Sequence, residues 1–389
     1  MYRKFKADYL FTGTEILLGN TVLITTEDGI ITEIVEEQNA GDNIEIFSGL
    51  ITPGFINAHC HLELSHMKDT IPAKTGLVEF VQQVMRKRFG NDELKQQAML
   101  DAAAEMYNSG IVAVGDICNT VDSMSIKQKS KIHWHNFIEV TGFVDAAAEK
   151  RLADAEKLFE DFTSHYSRFT SLSPHAPYSV SKTLFQLLNK KTAGQLITIH
   201  NQECAAEDEL YKTRSGDFLD LYNNFGIDIS EFQSTRKSSL QSWIPYFNNK
   251  QSIIAVHNTF ISQQDIGFAQ SAISDLHFAI CPNANLYIEQ KLPPIDLLRA
   301  TNCNIIIGTD SYASNWQLNI LEEIKTIQQN VDDIPLQEIL QWATINGAKA
   351  LQMEDKLGNF TKGKQPGVVL IDEIDNLNVT NNSSAKRLL

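Results

Sequence analysis

Cysteine is scarce in this chain. Its five residues, Cys60, Cys118, Cys204, Cys281 and Cys303, are odd in number, widely spread and form no C-x-x-C. That pattern excludes a disulfide framework and a thiolate zinc site, and fits reduced thiols in a cytoplasmic protein. Basic clusters are equally rare against a formal charge of -15. Neither a nucleic acid nor an anionic membrane is therefore expected as a partner. No apolar run approaches the about 18 residues needed to span a bilayer. The opening MYRKFKADYLFTGTEILLG has no apolar stretch followed by a small-residue cleavage site. A Gly-x-Gly-x-x-Gly turn is absent, which weighs against a dinucleotide-binding open sheet.

What is present is length and a changing texture. The 389 residues, 43% of them hydrophobic, suffice for a large core. Residues 1–50 contain short β-branched runs broken by Gly, Asn and Asp, which predict a small sheet. From residue 51 the chain alternates short apolar runs with helical patterns. Strands are predicted at 51–58, 111–117, 132–140, 168–174, 196–201, 252–258, 277–281 and 304–310. Runs such as IVAVGDI, LITIHN and NIIIGTD are continuous in the way that strands buried on both faces require. Eight such strands with intervening helices predict an α/β protein with a (β/α)8 TIM barrel. Two further helices, 316–329 and 335–351, are expected after the eighth strand. Residues 358–372 return to strand texture and are expected to rejoin the N-terminal sheet. The expected organisation is a barrel at 51–352 and a small β-sandwich built from 1–50 and 353–389. The polar tail 376–389 is expected to be disordered.

In a barrel the reactive side chains gather at the C-terminal ends of the strands. The first strand runs into His59, Cys60 and His61, where alternation puts both imidazoles on one side and Cys60 on the other. His175 follows the fourth strand. His200 ends the fifth, with Glu203 three residues on. His257 ends the sixth and Asp310 the eighth. Five of the ten histidines thus fall on one predicted rim. His66, His133, His135, His165 and His277 do not, and are expected to be structural or exposed. Three imidazoles and a carboxylate suit one divalent metal, Zn²⁺ first and Fe²⁺ as the alternative, and would lower the pKa of a bound water towards about 7. Glu203 and His257 then remain for proton transfer. Asn285 near the seventh strand and Glu63 in the turn after His61 are candidate substrate contacts. The segment 213–243 has the look of an insertion over the site.

The motifs PGFINAHCH, SPHAPYSVS, IHNQE, AVHNTF, CPNANL and GTDSYASN, together with the closing GNFTKGKQPGVVLID, resemble the amidohydrolase superfamily over nearly the whole chain. The nearest branch holds cytosine and guanine deaminases, methylthioadenosine/S-adenosylhomocysteine deaminases and triazine chlorohydrolases. By that resemblance His59, His61, His200 and Asp310 are the metal ligands. Glu203 is the acid that protonates a ring nitrogen, His257 orients the water or the tetrahedral intermediate, and His175 touches the substrate ring. A single metal is implied, because Ser173, Pro174 and His175 end the strand where binuclear members carry a bridging lysine. The implied reaction is hydrolytic deamination of a purine-like or pterin-like heterocycle. Cyclic amide hydrolysis and chlorohydrolysis on the same site are the alternatives. A non-catalytic assembly role is the remote one, since it would leave ligands missing. A homodimer is compatible with the family.

Overall fold

The computed structural model describes residues 2–389. Eight parallel strands form its centre. Phe55–Cys60, Ile111–Cys118, His133–Val140 and Thr170–Pro174 make one sheet in sequence order. Leu196–Asn201, Ser252–His257, Leu276–Ile280 and Asn304–Ile307 make a second. They are numbered here first to eighth. The first, second and fifth strands are buried at every position, as apolar strands covered on both faces must be. Helices between them cover the sheets. Asp92–Asn108, Lys182–Lys191 and Gln263–Ala272 each start where Asn91, Ser181 or Ser262 accepts a backbone N–H of the first turn.

The closed ladder expected from the sequence is not what the hydrogen bonds draw. Two four-stranded sheets meet edge to edge instead. At one seam the Thr198 amide donates to Ser173 Oγ, a side chain, and His200 N donates to the carbonyl of His175 beyond the strand end. At the other, the amides of Thr309 and Asp310 both donate to the His59 carbonyl, and Cys60 and Asp310 form an isolated parallel bridge. Gly308 permits this second seam, because a Cβ there would sit 2.8 Å from His59 Cβ.

The strand expected at 51–58 is two strands. Leu50–Pro53 and Phe55–Cys60 are separated at Gly54, where a Cβ would lie 2.2 Å from Val112 Cγ1. Leu50–Pro53 pairs with Val368–Ile371 in a five-stranded sheet that includes Tyr9–Phe11, Ile16–Leu18 and Ala385–Arg387. A four-stranded sheet from the N-terminal 46 residues packs on it through Phe5, Leu10, Leu23, Ile51 and Val368. The tail therefore departs from expectation. Ala385–Arg387 is an edge strand, and Arg387 donates through Nε and Nη2 to the carbonyls of Tyr107 and Ile111. One guanidinium gives this polar segment the anchor its composition does not reveal.

Other departures are local. After the fifth strand the chain forms two short helices, Ala205–Thr213 and Phe218–Asn224, divided where Arg214 and Gly216 take left-handed φ. That expected at 335–351 widens to a π-turn at Trp342–Asn346, where Thr344 Oγ1 donates back to the Leu340 carbonyl. Pro282–Glu289, which begins inside the CPNANL motif and runs past it, is a helix. All five cysteines are free thiols. Among the described residues no helix is long and apolar enough to cross a membrane.

Candidate active site

Strand geometry aims the two histidines of the first strand as alternation requires. His59 and His61 bring their Nε2 atoms within 3.2 Å, and His61 Nε2 lies 3.2 Å from that of His200. Nitrogens this close are held there by their surroundings. His200 Nδ1 lies 2.7 Å from the carbonyl of His175, so Nδ1 carries the proton and Nε2 presents a bare lone pair. Asp310 completes the group, its Oδ1 3.6 Å from His59 Nε2 and 3.5 Å from His61 Nε2. Its other oxygen accepts from Ser314 Oγ at 2.6 Å. Asp310 stands at φ 59° and His257 at φ 72°, conformations that non-glycine residues adopt at a cost. Both lie where a strand must turn its last side chain inward.

Electrostatics agree with the geometry. Burial, with His175 and His59 nearby, pushes the His200 imidazole down to about 3. Burial likewise holds His61 and His257 well below their ordinary value. Burial alone would raise Asp310, but His59, His61 and His257 hold its carboxyl well below the usual range. The ligand atoms of His59, His61 and Asp310 lie within 4.8 Å of one another, as do those of His59, His200 and His257, and these overlapping groups could hold a divalent cation. Glu203 behaves oppositely. Burial first, then Asp310, Glu207 and Glu289, push its carboxyl well above the ordinary value, a shift that favours the protonated form. Its Oε1 is 3.6 Å from His257 Nε2.

These groups open into one cavity of about 370 Å³. His61, His175, His200, Glu203, His257 and Asp310 stand on its wall. Leu64, Leu77, Phe80, Val84, Phe143 and Leu221 supply an apolar side, and Arg88 and Arg151 are the arginines among its lining residues. Within 213–243, Leu221, Tyr222 and Ile227 reach the cavity, and Trp243 is buried with its Nε1 donating to Asn201 Oδ1.

Two expected contacts lie elsewhere. Glu63 accepts the amides of Asn119 and Thr120, both at 3.1 Å, and stays off the cavity wall. Its two oxygens are thereby occupied in holding the loop after the second strand. Asn285 is also off the wall, with Nδ2 donating to Thr259 Oγ1. Conversely, Ser314 and Glu139 were missed by a reading that counted histidines. Glu139 is the penultimate residue of the third strand on the same rim, so the strand-end rule was signal enough to find it.

The sequence model described as Amidohydrolase family matches residues 50–387. The 5-methylthioadenosine/S-adenosylhomocysteine deaminase of Pyrococcus abyssi is 26% identical over 383 residues, covering 94% of this chain and 82% of its own. The 5'-deoxyadenosine deaminase of Methanococcus vannielii is 28% identical over 386 residues, covering 94% and 83%. Among solved structures, the aminofutalosine deaminase of Helicobacter pylori, crystallised with methylthio-coformycin, superposes with a TM-score of 0.83 over the full length of both chains at 22% identity. At that identity the likeness concerns the fold.

Proposed function

Since the chain belongs to the amidohydrolase family, we propose that it is a metal-dependent hydrolase that deaminates an amino-substituted purine-like heterocycle, carried as a nucleoside. The two parallel sheets are, in this reading, the halves of one eight-stranded barrel spanning 51–352, with 1–50 and 353–389 as the accessory β-sandwich. A divalent cation, zinc by preference for this nitrogen-rich donor set, would be held by His59, His61, His200 and Asp310 and would supply a water of lowered pKa. Glu203 carries the proton that the reaction needs and delivers it to the ring nitrogen beside the amine-bearing carbon. That protonation makes the carbon electrophilic without leaving a full charge on the ring. Asp310, ionised and steadied by Ser314, receives the proton shed by the attacking water and returns it to the departing amine. His257 orients the attacking oxygen, and His175 borders the substrate further out. Water and an amine enter; the hydroxylated ring and ammonia leave.

The observation carrying this reading is that Glu203 and Asp310 stand on one cavity wall with His61, His200 and His257. Burial and neighbouring charge push the two carboxyls apart, which is how acid and base roles are assigned. Relatives that deaminate adenosine-type nucleosides support the substrate class. The apolar wall suits a purine with a non-polar substituent.

The test is ammonia release by zinc-loaded protein from 5'-methylthioadenosine, S-adenosylhomocysteine, 5'-deoxyadenosine and guanine. At least one is expected to be deaminated, with Glu203→Gln slower by about 10²–10⁴-fold. Metal-replete protein that opens a cyclic amide or releases chloride, and forms no ammonia, would overturn the assignment.

A further inference from the structure

Glu139 is a buried carboxylate that the proposed chemistry leaves unused. It is the penultimate residue of the third strand, its side chain is 7% exposed, and it stands on the cavity wall. Its Oε2 accepts from Asn119 Nδ2 at 2.9 Å, and Asn119 Oδ1 in turn accepts from Arg88 Nη2 at 3.0 Å. Its Oε1 is buried and has no hydrogen-bond partner. Most buried side-chain polar atoms have a hydrogen-bond partner, so an unpartnered carboxylate oxygen on a cavity wall is a candidate ligand contact.

The free oxygen faces His175. Oε1 and His175 Nε2 are 3.9 Å apart, too far for a direct hydrogen bond. One oxygen atom placed about 2.8 Å from each would bridge them. His175 is fixed for that task, since its amide donates to the Val140 carbonyl and its Nδ1 contacts Ser179 Oγ at 2.7 Å. With Ser179 Oγ donating to His175 Nδ1, the imidazole proton lies on Nε2, and a hydroxyl group then meets both requirements at once, donating to the carboxylate and accepting from that N–H.

We propose that Glu139 and His175 together bind a hydroxyl of the substrate's sugar, and that Glu139 makes the site selective for ribosyl over deoxyribosyl compounds. This rests on the nucleoside reading above and adds a specificity-determining residue to it.

The experiment separates binding from turnover. Calorimetry on zinc-loaded protein measures 5'-methylthioinosine, which has no amine to lose, and its 2'-deoxy and 3'-deoxy analogues. The wild type is expected to bind one deoxy analogue roughly 10- to 100-fold more weakly, as loss of a hydrogen bond to a charged group implies. Glu139→Gln and Glu139→Ala are expected to bind the ribosyl compound weaker by a similar factor and to lose the discrimination. In kinetics with 5'-methylthioadenosine the loss should fall on KM with kcat and zinc content retained, which a merely structural role would not produce. Wild-type protein that binds all three compounds alike, or none of them, overturns the proposal. So does a variant that keeps the wild-type preference. Hydroxyl-dependent binding without ammonia release would retain Glu139 and remove the deamination reading. Ammonia release without hydroxyl discrimination would do the reverse.

Discussion

At the scale of single residues, the site works by leaving chosen atoms free. His200 gives its Nδ1 proton to a carbonyl, so Nε2 is available. Asp310 gives one oxygen to Ser314, so the other is aimed at the imidazoles. Partners of this kind orient ligands and tune their basicity, and their removal typically costs 10–100-fold in metal affinity. Ser314→Ala is therefore expected to weaken zinc binding by about that factor. Competition with a chromophoric chelator measures it. Unchanged affinity would show that Ser314 serves only its own loop, where it also contacts Ser311.

At the scale of elements, the turn after His61 is tied to the neighbouring strand. Leu62 N donates to Asp116 Oδ1 at 2.8 Å, and Asp116 Oδ2 pairs with Lys127 Nζ at 2.5 Å. Lys127, on helix Met124–Lys129, is fully buried at its side chain and also donates to Asn136 Oδ1 at 2.8 Å. First strand, second strand, third strand and helix thus meet at one ion pair beside the turn that follows His59 and His61. Removing one member of a buried pair strands the other charge, at a cost of about 3–5 kcal/mol. Lys127→Met is expected to destabilise the protein by that amount. Asp116→Asn combined with Lys127→Met should recover much of the loss, because no charge is then stranded and an acceptor for Leu62 N remains. Urea denaturation of both variants checks this. Additive losses in the double variant would mean that the pair itself, beyond its charge balance, holds the turn.

At the scale of the whole molecule, burial sets how stability follows pH through two buried glutamates. Burial pushes Glu207 and Glu323 from an ordinary 4.5 up to about 8. Between these values the folded state binds more protons than the unfolded one, so stability falls as pH rises. The contribution is complete below about 4.5 and lost as pH passes about 8. Tm is expected to decline from pH 5.5 to 8.5, and Glu207→Gln with Glu323→Gln should flatten that decline. A Tm that rises over the interval, or an unchanged slope in the double variant, would contradict it. Acid stability has the opposite limit. Asp275, lowered to about 2 by its hydrogen bond to His277, loses its contribution only as pH falls towards that value.

Local pattern alone determined the alternation of strand and helix, the rim on which His59, His61, His175, His200, His257 and Asp310 lie, and the opposite facing of Cys60. Those properties follow from periodicity and from strand ends, which are encoded within a few neighbouring residues. Tertiary structure alone decided the rest. It broke the strand at Gly54, where Val112 comes too close for a side chain. It ordered the polar tail by lodging Arg387 on two carbonyls more than 270 residues away. It occupied Glu63 with two backbone amides and left Glu139 with a free oxygen, although both are glutamates near strand ends. Whether a carboxylate is spent on the scaffold or kept for a ligand depends on which donors the fold brings within reach. Those donors come from distant parts of the chain, so no local reading distinguishes the two.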